Sequence, residues 1–328
     1  MVLKYGGEVA RIGGMTTRRE FFLAGGAMLA ASRLTASDAQ TSATPRAERS
    51  GGDSPVRFGI VTDLHYADID PDPKPCGVVG RRYYRDSLRK LSEAVESFNR
   101  SNLDFAIELG DFKDNTHGRE RTIEHLDAIE DEFAKFNGPR YHVAGNHDFD
   151  CLTNEEFFSR IPNDGEVSMK GYYSFERGGI TFIVLNACFD STLMPYSRNN
   201  PWNDANVPPD ELRWFKAELA AAPGKVVVFC HQRMDDACEP NHQIKNAATL
   251  RSAIEKSGKV CVVITGHQHC GGYHILNGIP YYSLRAMVCE EGEGENSFAV
   301  VSVSPNGDFE ITGSFNAASV SRKARRQS

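Results

Sequence analysis

Five short polar clusters in this sequence carry side chains of the kind that hold cations. They are Asp63-Leu64-His65, Gly110-Asp111-Phe112-Lys113-Asp114, Gly145-Asn146-His147-Asp148, Cys230-His231 and Gly266-His267-Gln268-His269. Asp63, His65, Asp111, Asn146, His231, His267 and His269 offer oxygen and imidazole donors without a thiolate, a set suited to manganese, iron, zinc or a similar divalent ion. Seven donors are too many for one tetrahedral zinc; they fit two ions that share a bridging carboxylate. Without cations, Asp63, Asp111, Asp114 and Asp148 would repel one another in a partly desolvated crevice, and with two cations the cluster makes electrostatic sense. Such a pair lowers the pKa of a bound water from about 15.7 toward about 7. That makes hydroxide available as a nucleophile near neutral pH. Any one cluster has an ordinary reading as a turn or a surface pair. That reading fails for five in one chain, each at the end of a strand-like run.

The elements that must position these residues alternate. Strand-like runs at Val56–Val61, 104–109, 141–144, Val226–Phe229 and 260–264 each lead into one cluster. Between them, Tyr84, Leu88, Leu91, Val95 and Phe98 recur at helical spacing, as do Ile123, Leu126, Ile129, Phe133 and Phe136. Further helices are predicted from Pro208 or Pro209, carrying Leu212, Phe215 and Leu219, and over 247–254. Runs 172–175 and 181–185 flank Arg177-Gly178-Gly179 as a hairpin, and the tail turns to strands alone at 273–276, 280–284, 298–303 and 309–312. This order predicts an α/β fold in which two packed sheets are flanked by helices. The carboxyl ends of neighbouring strands converge on one crevice, so clusters far apart in sequence face one another.

The 328 residues carry a formal net charge of −7, with 40% hydrophobic and 25% charged residues. These values exclude collagen, bulk disorder and a polytopic membrane protein. The acidic balance and the lack of a basic stripe argue against nucleic acid as a partner. Arg18-Arg19 precede an apolar run from Phe21 to Ala31, about half of the roughly 20 residues a spanning helix needs. The arrangement resembles a twin-arginine export signal, with Ser37-Asp38-Ala39 as a cleavage site and Met15 as an alternative start. The expected organisation is a signal peptide over 1–39, a linker over 40–54, one catalytic domain over 55–315 and a basic tail over 316–328. The expected partner of the signal is the twin-arginine export machinery. Export from a bacterial cell to the periplasm or beyond, with no stable membrane anchor after cleavage, would follow. The eight cysteines contain no Cys-x-x-Cys and predict no disulfide framework, though one or two bridges stay open.

The five clusters together resemble the calcineurin-like metallophosphoesterase superfamily, from about Val56 to Gly313. The resemblance implies a four-layer α-β-β-α sandwich with two mixed sheets and a dinuclear site at the strand ends. It implies that Asp63, His65, Asp111 and His269 hold one ion, that Asp111, Asn146, His231 and His267 hold the other, and that Asp111 bridges. His147 is then the general acid, and Asp114 and Asp148 orient it or its neighbours. Tyr66-Ala67-Asp68, the run Arg81-Arg82-Tyr83-Tyr84-Arg85 and Tyr141-His142-Val143-Ala144-Gly145-Asn146-His147-Asp148 look similar to the manganese-dependent ADP-ribose/CDP-alcohol diphosphatase branch, which often carries Gln where this chain has His65. The branch implies two divalent ions, manganese first and iron or zinc otherwise, and a small phosphorylated substrate. Arg81 and Arg82 open a helix beside the crevice, where guanidinium forks suit a second phosphate. Tyr66 and Cys270 complete the expected substrate contacts. Three readings remain: a diphosphatase; the same machinery on phosphomonoesters or phosphodiesters, cyclic nucleotides included; and a non-catalytic binding module on this fold.

Overall fold

The computed structural model describes residues 54–74, 80–115, 118–164, 169–198 and 200–324. The expected signal peptide, nearly all of the linker, Cys76 and the end of the tail lie outside them. Twelve strands and five α-helices follow in the order β1 (Val56–Val61), α1 (Asp86–Arg100), β2 (Phe105–Glu108), α2 (Arg119–Phe133), β3 (Arg140–His142), α3 (Asn154–Phe158), β4 (Tyr173–Arg177), β5 (Ile180–Val184), α4 (Pro209–Ala221), β6 (Val226–Phe229), α5 (Ala247–Ser257), β7 (Val260–Thr265), β8 (Gly272–Leu276), β9 (Ile279–Ser283), β10 (Ser297–Val303), β11 (Phe309–Phe315) and β12 (Val320–Arg322) among the described residues.

They form two six-stranded mixed sheets, ordered β12-β11-β10-β1-β2-β3 and β4-β5-β6-β7-β9-β8. In the first, β1, β2 and β3 run parallel and β10 closes antiparallel on β1. In the second, β5, β6, β7 and β9 run parallel between antiparallel edges. The strand alternation explains the layers. Phe58 and Ile60 of β1 enter the core between the sheets with Phe105, Phe182 and Phe229, while Val61 faces the helix layer. Phe58 stacks on Phe105 at 4.6 Å and meets Phe182 and Phe229 edge-on. Leu91, Val95 and Phe98 of α1 and Leu126, Ile129 and Phe133 of α2 cover the first sheet. Phe215 and Leu219 of α4 and Leu250 and Ile254 of α5 cover the second. The result is the α-β-β-α sandwich expected from the sequence.

Some boundaries differ. Tyr84 does not begin α1; it is buried with Ala67, Ala286, Val288 and Cys289 beneath the loop that leads into the helix. The sequence reading passed over α3, which a Thr153/Glu156 capping box starts, and the short edge strand β12. All seven described cysteines are free thiols. No helix among the described residues is long and apolar enough to cross a membrane.

Candidate active site

The parallel strands of both sheets deliver the clusters to one place. Asp63 and His65 follow β1, Asp111 and Asp114 follow β2, Asn146 and His147 follow β3, His231 follows β6, and His267 and His269 follow β7. The turns are tight. Asp63, His65, Asp111 and His267 all adopt φ between 47° and 68°, a left-handed conformation unusual for residues with a side chain. Such strain, of order 1–3 kcal/mol each, persists where the surrounding fold imposes it, and it gathers at working sites. Two glycines make the crowding tolerable. A Cβ on Gly110 would lie 2.6 Å from His231 Nδ1, and one on Gly145 would strike the Asp111 backbone.

The imidazoles are aimed by partners on their far nitrogens. His231 Nδ1 donates to the Leu109 carbonyl at 2.8 Å, and His65 Nδ1 donates to Asp114 Oδ2 at 3.2 Å. His269 Nδ1 lies 3.6 Å from the Cys289 sulfur. Each Nε2 thereby faces inward, toward the place a cation would take. His65 Nε2 and His269 Nε2 then stand only 3.2 Å apart. At that distance the two nitrogens either share a proton or face a common cation. His269 Nε2 is also 3.5 Å from Asp63 Oδ1. Asp111 Oδ2 reaches both halves of the site, 3.5 Å from His65 Nε2 and 3.1 Å from His231 Nε2. Its Oδ1 accepts the His147 backbone N–H at 2.8 Å. Asp63 Oδ1, Asn146 Oδ1, His231 Nε2 and His267 Nε2 are buried without a hydrogen-bond partner. Four orphaned donors to a cation in one pocket fit a pair of divalent ions and nothing the chain itself supplies. Asp63, His65 and His269 bring their ligand atoms within 4.8 Å of one another, as do Asp111, His231 and His267.

The electrostatics agree. Burial opposes ionising Asp63 and Asp111, yet the surrounding imidazoles outweigh it and hold both carboxyls below the ordinary carboxylate range. Burial also opposes charging His231, and here Asp111 and Asp63 outweigh it, holding the group up to about 10, so without a cation His231 keeps a proton that an ion bound there would displace. Burial keeps His267 and His269 well below the usual imidazole range, so both stay neutral as ligands must.

Around this centre the expected residues take distinct places. His147 is partly open, its ring 4.8 Å from that of His65. Burial opposes its charge, and Asp111, Asp150 and Asp114 raise it to about 9. Its closest carboxylate is Asp150, whose Oδ2 takes the Nδ1 proton at 2.7 Å; Asp114 Oδ1 stands at 3.9 Å. Asp150 was not foreseen, although an acid three residues beyond a histidine in one turn was a usable signal. Asp148 orients the neighbours rather than the His147 ring. Its oxygens accept the backbone N–H groups of Asp111, Phe112 and Gly145 at 3.0, 2.9 and 2.8 Å. Lys113, fully buried, donates to the carbonyls of His147 and Asp150 and fixes that turn. Arg82 reaches the centre, with Nη1 3.6 Å from Asp114 Oδ2. Arg81, expected to lean inward, is exposed. Its carbonyl accepts the Glu290 N–H, and the chain turns Arg82 in instead. Tyr66 is partly buried. Its ring sits 5.7 Å from His125 and packs on the cluster under α1 and α2. Cys270 is exposed beside Gln268, at 3.2 Å.

Comparison with known proteins places this geometry. The calcineurin-like phosphoesterase family matches residues 56–271. A manganese-dependent ADP-ribose/CDP-alcohol diphosphatase of Arabidopsis thaliana is 29% identical over 76% of this chain and 91% of its own length. Its counterpart from Oryza sativa subsp. japonica is 27% identical over 76% and 88%. A dimetal phosphatase from Danio rerio has the same fold, with a TM-score of 0.69 and 19% identity over 82% of this chain and 99% of that one.

Proposed function

The chain belongs to the calcineurin-like phosphoesterase family and is a dinuclear metal-dependent hydrolase, and from that premise we propose that it cleaves the diphosphate bond of nucleoside diphosphate conjugates such as ADP-ribose or CDP-alcohols, with manganese as the working ion. The observation that carries the proposal is similarity to diphosphatases of that name across 76% of the chain, joined to a guanidinium, Arg82, at the edge of the centre. Asp63, His65, Asp111 and His269 would hold one ion and Asp111, Asn146, His231 and His267 the other. Bound there, divalent ions supply Lewis acidity and a nucleophile usable near neutral pH. The chain's own groups do the rest. His147, its Nδ1 held by Asp150, keeps Nε2 for the oxygen that leaves and gives it a proton. Lys113 holds the turn on which both residues sit. Arg82 faces the second phosphate and Asp114 keeps both Arg82 and His65 in place. We further propose that residues 1–39 direct twin-arginine export, on the strength of Arg18-Arg19 and the apolar run behind them.

The test is a panel of ADP-ribose, CDP-glycerol, a cyclic nucleotide and p-nitrophenyl phosphate, assayed with added manganese. The proposal expects the two nucleoside diphosphate conjugates to have the highest kcat/KM. A preference for the monoester or the cyclic nucleotide by orders of magnitude would overturn it in favour of the phosphomonoesterase or phosphodiesterase reading.

A further inference from the structure

Trp202 is an apolar side chain kept in water at the rim of a charged site. It lies on the loop between β5 and α4, with 42% of its surface exposed. Its indole is 5.8 Å from the His267 ring and 5.3 Å from the His242 ring, and those two imidazoles are 5.1 Å apart. His267 is one of the residues whose buried, unpartnered nitrogen faces the cation centre. The indole therefore borders that centre on the side of His231 and His267, while Arg82, Asp114 and His147 border it on the side of His65.

The loop holds the ring in place. The Pro201 carbonyl accepts from both the Tyr196 hydroxyl and the Asp204 N–H, each at 3.1 Å. Asp204 Oδ2 takes the Ser191 N–H at 2.8 Å, and Asn206 Nδ2 donates to the Phe189 carbonyl at 3.2 Å. A pinned loop that presents an indole face beside a phosphate-handling centre suits a flat π-system joined to that phosphate. His242, with its ring tilted against the indole, backs it.

We propose that Trp202 is the platform on which the base of a nucleoside diphosphate conjugate stacks, so that the nucleoside lies toward His267 and the second phosphate toward Arg82. This deepens the diphosphatase reading and rests on it.

The test separates the two. ADP-ribose hydrolysis yields AMP, which carries the base, and ribose 5-phosphate, which does not. The chain has two tryptophans, and the other, Trp214, packs on Tyr172 at 4.8 Å. In a Trp214→Phe variant the fluorescence thus reports Trp202 alone. With magnesium in place of paramagnetic manganese, AMP is expected to quench that signal and ribose 5-phosphate to leave it unchanged. Trp202→Ala is expected to weaken AMP inhibition, and to raise KM for ADP-ribose, by about 5- to 150-fold, the range of one base-on-aromatic contact. It should spare kcat and ribose 5-phosphate inhibition, and Trp202→Phe should recover most of the loss. If Trp202→Ala weakens neither product, or weakens both equally, the platform is refuted even though ADP-ribose is still hydrolysed. If wild-type protein does not hydrolyse ADP-ribose, the diphosphatase reading fails, and the AMP-quenching result still decides the platform.

Discussion

Behind the Asp111 turn lies a buried charge network that makes a quantitative prediction. His142 of β3 is enclosed between Glu108 of β2 and Glu130 of α2, with Nδ1 3.4 Å and Nε2 3.2 Å from their carboxylates. These are ion-pair distances without hydrogen-bond alignment. Glu130 is shared with Arg140 at 3.0 Å, and Glu108 also accepts the N–H of Gly110, the residue before Asp111. Burial opposes charge on His142, but Glu130 and Glu108 outweigh it and raise the imidazole from 6.5 to about 9. A folded-state value above the unfolded one stabilises fully below the unfolded pKa and loses that stabilisation as pH rises through the folded value. At about 1.4 kcal/mol per unit the shift corresponds to about 3 kcal/mol. For a domain of this size that is roughly 6–12 °C in Tm. Metal-free His142→Gln should therefore melt some 6–12 °C (roughly) below wild type at pH 6.5, and the gap should close progressively toward pH 10. The assay is thermal unfolding in chelator across that range with both proteins carrying Glu108→Gln, because burial pushes Glu108 up to about 8 and its titration, tied to His142, would otherwise differ between them. A gap that stays constant from pH 6.5 to 10 would refute the reasoning, since lost packing alone does not titrate.

The proton donor and its partner should separate by leaving group. His147→Ala should leave manganese affinity intact and slow a poor leaving group by about 10²- to 10⁴-fold, but p-nitrophenyl phosphate far less; unchanged turnover of the poor leaving group would remove His147 from the mechanism. Asp150→Ala should show the same leaving-group pattern at about tenfold, because it loosens the Nδ1 contact at 2.7 Å without touching the cation ligands. An equal loss with both substrates would assign Asp150 to folding alone. Chelation should abolish activity and lower Tm, and manganese at a hundredfold excess over its Kd should restore activity and add about 2.7 kcal/mol of stability for each ion bound. Activity that survives exhaustive chelation would contradict the site.

The strand bounds of β1 and β6, and the convergence of Asp63, His65, Asp111, His231, His267 and His269 on one centre, were legible in the sequence, for a physical reason. Buried parallel strands are continuous apolar runs such as Val226–Phe229, and their carboxyl ends are marked by polar residues with no structural reason to sit there. Orientation around the centre was not legible. Arg81 and Arg82 are adjacent, and only the pairing of that segment with Cys289 and Glu290 decides which one turns inward. Tyr66 follows His65 directly, yet its ring lies against His125 of α2. Asp150, Lys113 and Trp202 escaped notice because their partners lie in turns or in other loops. The edge strand β12 offered only three residues of weak pattern.

Electron paramagnetic resonance of the manganese-loaded chain, with the bound metal counted, tests the central claim most directly. The site predicts two manganese ions per chain with an exchange-coupled spectrum, because Asp111 Oδ2 faces both halves of the centre. Asp111→Asn should abolish the coupling and the hydrolysis together. One uncoupled ion per chain in the wild type, with full activity, would contradict the account.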